Sequence, residues 1–286
     1  MDNIFDLHSG LVSKKYRHGG YQAFKVFDPK PRDIHKASVR DRLVHHAVYR
    51  VLYPFFDRTF ISDSYSCRNK KGTHKALEKL RRYFNKMSLN STRTCYCLKM
   101  DIRKFFASID HEILLNILTN HIADRNCLWL LENIIGSFRS KEQAVGLPLG
   151  NLTSQLLVNI CMSGFDQFVK HRLKERYYIR YADDFVILSR DYGHLKQMIL
   201  PISIYLKEKL KLEIHRDKII IKSLASGLDF LGYIQFADYR ILRTRTKNRL
   251  FEKINDTNYL SYLGLLNHCH SYKLRKRIIS LNSRWG

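Results

Sequence analysis

The sequence predicts an α+β core with a mainly antiparallel sheet and helical arms at both ends. The order of its signals carries that reading: a strand-like run, an amphipathic helix, a long apolar helix, a hairpin, another amphipathic helix and further strands. The hairpin is the sharpest of these. Tyr181-Ala182-Asp183-Asp184 stands between Tyr177-Tyr178-Ile179-Arg180 and Phe185-Val186-Ile187-Leu188, so β-branched and aromatic flanks meet at an acidic tip.

Residues 1–38 read as basic and irregular, with Lys14-Lys15-Tyr16-Arg17 and Lys30-Pro31-Arg32. Val39 to Phe56 is predicted helical on the stripe Val39, Leu43, Ala47, Val51 and Phe55, with Pro54 ending or kinking it. Arg40, Arg42 and Arg50 fall largely off that stripe, available to phosphates or merely solvated. Ser62 to Gly72 is a polar loop, Thr73 to about Asn85 a helix with a wet charged face, and Ser88 to Arg93 a linker. Cys95 to Met100 is a strand running into Asp101. Asp110 then caps a helix that buries Ile113, Leu114 and Ile117. Residues 123–140 form another helix, Gly146 to Gly150 breaks the chain, and Leu152 to Phe168 is a long apolar helix. Leu195, Met198, Ile199, Ile202, Leu206 and Leu210 mark an amphipathic helix containing Pro201. Ile219 to Ile221 and Phe230 to Ile234 read as a strand pair. The remaining residues read as short helices with a dense basic load, including Arg243, Arg245, Lys273, Arg275 and Lys276.

Composition narrows the class of partner. The chain has 286 residues, with 50 Lys and Arg against 26 Asp and Glu, a net charge of +24. An excess of that size predicts a polyanionic partner, with phosphates the obvious candidate. No apolar run reaches spanning length and the first residues lack a signal pattern, so a soluble, cytoplasmic protein without membrane association is expected. Cys67, Cys95, Cys97, Cys127, Cys161 and Cys269 show no ligand spacing, and His268-Cys269-His270 is too remote from Cys95 and Cys97 for a natural zinc set. Buried reduced thiols are the expectation.

Adjacent carboxylates between apolar strands are hard to explain by stability, because like charges repel there and lose water; a solvated turn is the plainer alternative. If the strand ending at Asp101 shares a sheet with the hairpin, Asp101, Asp183 and Asp184 converge at one edge. That set suits two Mg²⁺ ions about 4 Å apart for in-line displacement at phosphorus. On so basic a chain, the reactants would be a nucleic-acid 3′ end and a nucleoside triphosphate. The residues by themselves lead to a nucleotidyl transferase.

The chain resembles a reverse transcriptase along nearly its full length. The resemblance rests on blocks in the family's order: Lys30-Pro31-Arg32 with Val39 to Arg42, Asp63 to Arg68, Lys99 to Phe106, Gly146 to Gln155, Tyr181 to Asp184, Asp217-Lys218, and Asp229 to Tyr233. It implies a right-hand polymerase of fingers, palm and thumb, with an antiparallel palm sheet flanked by helices and a short helical thumb. Fingers would take residues 1–92 and 124–150, palm 93–123 and 151–238, and thumb 239–286. Asp101, Asp183 and Asp184 would be catalytic, and the ions (Mg²⁺, with Mn²⁺ as the alternative) would be held by them and Ile102. Lys30, Arg32 and Lys218 match positions that handle the triphosphate, and Phe106 matches an aromatic that excludes a 2′-hydroxyl. Phe230, Leu231 and Gly232 match the hairpin gripping the primer end, with the core as the alternative place for Phe230 and Leu231. Arg40, Arg42, Arg68, Arg243, Arg245, Lys273, Arg275 and Lys276 would contact nucleic acid.

Smaller marks point to a subfamily. Leu149 to Gln155 resembles the signature of diversity-generating retroelement enzymes, in which Gln155 replaces the proline of most relatives, group II intron proteins included. Ser261 to Ser271 is similar to that group's short thumb, with no room after it for a maturase or nuclease domain. The resemblance implies copying of template-repeat RNA into cDNA with errors opposite adenine, from deoxynucleoside triphosphates, beside a small basic accessory protein, in a bacterial or phage-encoded setting. Gln155 is the candidate for relaxed base selection. A defence-associated or otherwise domesticated polymerase on the same palm is one alternative, and a non-catalytic RNA-binding scaffold is the other.

Overall fold

The computed structural model describes residues 2–27, 31–140 and 144–282. Helix α1 (Asp2–Val12) is followed by an antiparallel hairpin of β1 (Tyr21–Val26) and β2 (Arg32–Ala37), in register from Tyr21↔Ala37 to Val26↔Arg32. This segment was expected to be irregular. Its strands are largely exposed on both faces, so no alternation of apolar and polar residues reveals them.

Helix α2 (Val39–Asp57) begins where the Ser38 hydroxyl accepts from the Asp41 backbone N–H, and it runs one turn past Pro54. Its buried face corrects the expected stripe. Val44, Val48, Leu52 and Phe56 enter the core, whereas Val39, Leu43, Val51 and Phe55 are exposed. Two apolar rows at four-residue spacing run along this helix, and periodicity does not say which one the core takes.

Helix α3 (Thr73–Ser88) ends in a left-handed stretch, with φ of 50°, 53° and 71° at Leu89, Asn90 and Ser91. Strand β3 (Tyr96–Asp101), α4 (His111–Thr119), α5 (Arg125–Gly136) and α6 (Leu152–Gln167) follow. Asp110 caps α4 as expected, accepting from Ile113 N at 3.0 Å, while Leu114 and Leu118 take its most buried positions. A π turn over 168–172 leads to the hairpin of β4 (Tyr178–Tyr181) and β5 (Asp184–Ser189), then α7 (Tyr192–Leu210) and β6 (Ile220–Ser223).

These strands form one antiparallel sheet in the order β4-β5-β3-β6. Alternation divides its side chains between two cores. Leu98, Met100, Phe185 and Ile187 pack with residues of α4, α6 and α7 on one face. Cys97, Val186 and Leu188 pack with Leu77, Leu80 and Phe84 of α3 on the other. Each such burial contributes roughly 1.5–3 kcal/mol, which makes this sheet a rigid platform for whatever its edge carries.

The expected pairing of Ile219–Ile221 with Phe230–Ile234 does not form. Strand β6 joins β3, while β7 (Leu228–Phe230), β8 (Tyr233–Gln235) and β9 (Arg240–Leu242) make a separate antiparallel sheet. Strand β9 lay in a stretch expected to be helical. Helices α8 (Thr244–Lys253), α9 (Tyr259–Leu266) and α10 (Tyr272–Asn282) complete the chain, sending Leu250, Leu266 and Ile278 into the α3-side core. The cysteines are unpaired: Cys95, Cys97 and Cys161 are buried, Cys127 and Cys269 are half-buried, and Cys67, against expectation, is exposed. Among the described residues no helix is long and apolar enough to cross a membrane.

Candidate active site

Register brings the acidic residues together. Asp101 at the end of β3 stands opposite Asp184 at the start of β5, and the Ile102 N–H donates to the Asp183 carbonyl at 3.1 Å. Ala182, with φ 55°, takes the left-handed position of the turn, leaving Asp183 at its tip.

A residue that sequence reasoning passed over holds this turn. Arg180 is fully buried and donates to both Asp166 oxygens at 2.8 and 2.7 Å, to Ser64 Oγ at 3.1 Å and to the Ala182 carbonyl at 3.0 Å. One planar guanidinium thus ties α6, the loop before α3 and the acidic turn into a single unit. The available signal was an arginine inside an otherwise apolar and aromatic strand, a position that demands a partner.

The site's electrostatics are those of crowded carboxylates. Burial raises the Asp183 pKa, Asp101 raises it further, and Lys218 and Arg32 oppose the shift. Burial likewise lifts Asp184 to about 7, against the pull of Lys99 and with help from Asp183 and Asp101. Lys218 Nζ lies 2.5 Å from Asp101 Oδ1. Lys99 Nζ lies 3.0 Å from Asp184 Oδ2 and donates to the Asp229 carbonyl at 2.7 Å. Sequence reasoning quoted Lys99 only as part of a block, although a lysine two places before Asp101 shares its strand face.

Among the described residues, no group of three or more His, Cys, Asp or Glu side chains is already arranged to hold a metal ion. The donor chemistry nonetheless fits a hard divalent cation. Asp184 Oδ1 is buried without a hydrogen-bond partner, and neighbouring carboxylates raise the pKa values of Asp183 and Asp184.

Beside this edge is a cavity of about 650 Å³, lined by Arg32, Lys104, Phe106, Arg139, Leu149 and Asp183. Both Phe105 and Phe106 border the cavity, Phe105 as a buried core residue and Phe106 half-buried, their rings edge-on at 5.6 Å. The Gly146–Gly150 segment closes the far side. Leu147 N donates to the Phe106 carbonyl at 2.7 Å, His35 N to the Leu149 carbonyl at 2.9 Å, and Asn151 Nδ2 to the His35 carbonyl at 2.8 Å. Gly150 is required here: its φ is 109°, and a Cβ would come within 2.7 Å of Ile34 Cγ2. Those bonds set Arg32 over the cavity. Gln155, on the first turn of α6, is half-buried and absent from the cavity lining. Lys30 lies outside the described residues.

A second groove of about 450 Å³ shares Arg32 and is lined by Leu231, Gly232, Arg243, Arg245 and Arg249. Leu231 and Gly232, with φ of 51° and 87°, form the β7–β8 tip that faces it. Phe230 does not face it: its side chain is fully buried under the sheet. Arg243 pairs with Asp229.

Arg68 corrects an expectation. Its guanidinium is consumed within the fold, by Asp57 Oδ1 at 2.7 Å and the Ile61 and Ser64 carbonyls at 2.7 and 3.1 Å. It braces the loop before α3. Arg40 and Arg42 are exposed on α2, Arg40 lying over the Tyr16 ring at 4.9 Å. Lys273, Arg275 and Lys276 are exposed on α10, where Arg275 donates to Asn267 and Lys276 lies over Tyr272 at 4.8 Å.

Residues 27–235 match the family model described as "Reverse transcriptase (RNA-dependent DNA polymerase)". Among curated proteins, the chain is similar to Protein YkfC of Escherichia coli, 26% identical over 80% of this chain and 70% of that one. It is also similar to the group II intron-encoded protein LtrA of Lactococcus lactis, 23% identical over 77% of this chain and 46% of that one. Among solved structures it resembles the telomerase of Candida albicans in complex with a telomeric RNA fragment, with a TM-score of 0.60, 13% identity, and 81% of this chain and 46% of that one covered. Apo telomerase of Candida tropicalis gives 0.61, 11% identity, and 87% and 54%. The chain therefore spans about half the length of the intron protein and of the telomerase chains, and the structural likeness carries the fold.

Proposed function

Because this chain belongs to the reverse transcriptase (RNA-dependent DNA polymerase) family and has a right-hand polymerase fold, we propose that it copies RNA into cDNA by nucleotidyl transfer. The observation that carries this reading is the register of Asp101 against Asp184, with the adjacent Asp183 lining a cavity that Arg32 and Phe106 also line. Asp101 and Asp183, with the Ile102 carbonyl, would hold two Mg²⁺ ions; Mn²⁺ is the alternative, and Asp184 is the supporting ligand. When bound, the ions lower the pKa of the primer 3′-hydroxyl and neutralise charge on the departing pyrophosphate.

The protein's own residues do the positioning. Arg32 donates to the phosphates of the incoming nucleotide, its planar fork suiting two oxygens at once. Phe106 leaves no room for a 2′-hydroxyl and so selects deoxynucleotides. Lys218, paired with Asp101, would hold or release a proton near the leaving group. Leu231 and Gly232 place the primer end, while Arg243, Arg245 and the exposed cations of α2 and α10 run along the nucleic-acid backbone. An acidic cluster on a chain of charge +24 argues against a scaffold that only binds RNA.

The finer reading is a diversity-generating retroelement enzyme, copying template-repeat RNA with adenine-directed errors beside a small basic accessory protein, in a bacterial or phage-encoded cytoplasmic setting. Leu149 to Gln155 supports it; a defence-associated or domesticated enzyme is the competing assignment. Since Gln155 is absent from the cavity lining, its effect on base choice would pass through the Gly146–Gly150 wall and the first turn of α6. Sequencing cDNA made on the flanking retroelement RNA tests the finer reading. Substitutions concentrated at template adenines, and reduced in Gln155→Pro, are expected; an even error spectrum in both would remove it.

A further inference from the structure

A third cavity, of about 610 Å³, shares no residue with the two described above. It is built where α3, the β8–β9 turn and the α9–α10 loop meet, and is lined by Arg81, Arg82, Tyr239, Arg240, His268 and His270, with Glu78 and Asp238 as its acidic residues. The β8–β9 turn is at the opposite end of strand β8 from Gly232, so this cavity opens away from the β7–β8 tip. Its size lies within the roughly 300–1,000 Å³ typical of ligand sites.

Arg240 is the unusual residue. It is 8% exposed, held by its backbone carbonyl accepting from His270 N at 2.7 Å. Yet its guanidinium has neither a hydrogen bond nor an ion pair among the described residues, although arginines so deeply buried ordinarily have both. Burial lowers its pKa, and nearby Arg81 lowers it further; Glu78 is near enough to oppose this without pairing. Two guanidiniums left to repel at a cavity wall are stabilised by an anion placed between them. Beside them Tyr239 is 48% exposed, its ring braced by stacking on Phe236 at 4.7 Å. A fixed, half-exposed aromatic next to unpaired arginines has the makings of a nucleotide site, with a ring for the base and a fork for the phosphate.

We propose that this cavity binds a nucleotide of single-stranded RNA outside the catalytic cleft, its phosphate between Arg81 and Arg240 and its base on Tyr239. Only the identity of the ligand as RNA rests on the polymerase reading. The site would anchor an unpaired stretch of the same RNA that is being copied, leaving the template cleft free.

The test uses the full chain with its cleft filled by an RNA–DNA primer–template hybrid. Binding of a labelled unpaired oligoribonucleotide is followed by anisotropy, and primer extension on a short template is measured on the same samples. Arg81→Ala and Tyr239→Ala, both surface changes, are expected to weaken oligoribonucleotide binding by roughly 5- to 100-fold while short-template extension stays at the wild-type rate. Arg240→Met is expected to match Arg81→Ala where it folds. Unchanged affinity in both surface variants overturns the proposal. So does binding of inorganic phosphate or a nucleoside monophosphate as tight as that of the oligoribonucleotide, which would make this a small-anion site. Loss of extension in the wild-type protein would instead fault the polymerase reading, so the two failures are told apart.

Discussion

Lys99 connects Asp184 to the β7–β8 hairpin: its ammonium lies 3.0 Å from the Asp184 carboxylate and donates to the Asp229 carbonyl at 2.7 Å. It also lies 5.7 Å from the centre of the Phe230 ring. One side chain thus joins the acidic turn to the element expected to seat the primer, so displacement of either is felt at the other.

Removing that connection has a defined cost. Lys99→Met is expected to destabilise the chain by about 2–3 kcal/mol, between the values for exposed and fully buried pairs, since both partners keep some solvent access. Urea denaturation measures this. Lys99→Arg, which keeps the charge, should recover most of the loss.

Arg180 should be far less forgiving. Both it and Asp166 are fully buried, and truncating one leaves the other as an unpaired buried charge. Arg180→Met is expected to cost roughly 3–5 kcal/mol. Where the variant folds, loss of the bond to Ala182 should abolish primer extension, whereas primer–template binding through the basic surfaces should persist.

The Phe106 wall makes a selectivity prediction. Phe106→Val should admit ribonucleotides, narrowing the preference for deoxynucleotides by about 10- to 100-fold, because the discrimination is steric and worth a few kcal/mol at most. Single-nucleotide incorporation with paired dNTP and rNTP titrations checks it. Phe105→Val, at a buried position, should lower stability more and shift the preference less than Phe106→Val.

The acidic cluster predicts a pH signature. Asp184 is raised to about 7 in the fold from an ordinary value near 3.8. Between those values the folded chain holds a proton that the unfolded chain releases, so stability falls as pH rises through that window. Melting temperature in chelator should therefore drop between pH 5 and pH 8 for the wild type and stay flatter for Asp184→Asn. Adding Mg²⁺ at pH 8 should raise the wild-type value, and raise it less in Asp183→Asn.

The acidic site was legible because its chemistry is local. Strand β3 running into Asp101, the acidic hairpin and the capped start at Asp110 each declare themselves within a few residues. The α+β order of elements followed from the same signals. What escaped was decided by packing between distant segments. The two apolar rows of α2 read alike until α6 claims one of them. The β1–β2 hairpin buries no face that would stamp a pattern on its sequence, and β9 hides in a basic stretch because its partners are β8 and a helical loop. Arg68 is expected at the nucleic acid only through the resemblance of its block, and the carbonyls of Ile61 and Ser64 reveal it as a brace. The motif leaves Phe230 either at the primer or in the core, and packing against the second core decides for the latter.

Asp101, Asp183 and Asp184 are proposed as the chemical centre of an RNA-copying polymerase. The most direct measurement is extension of a labelled DNA primer on an RNA template with Mg²⁺ and dNTPs, comparing the wild-type protein with Asp183→Asn. Template-length cDNA from the wild type, and a loss of at least about 1,000-fold in the variant, is the predicted result. No product from either protein, or equal product from both, would contradict it.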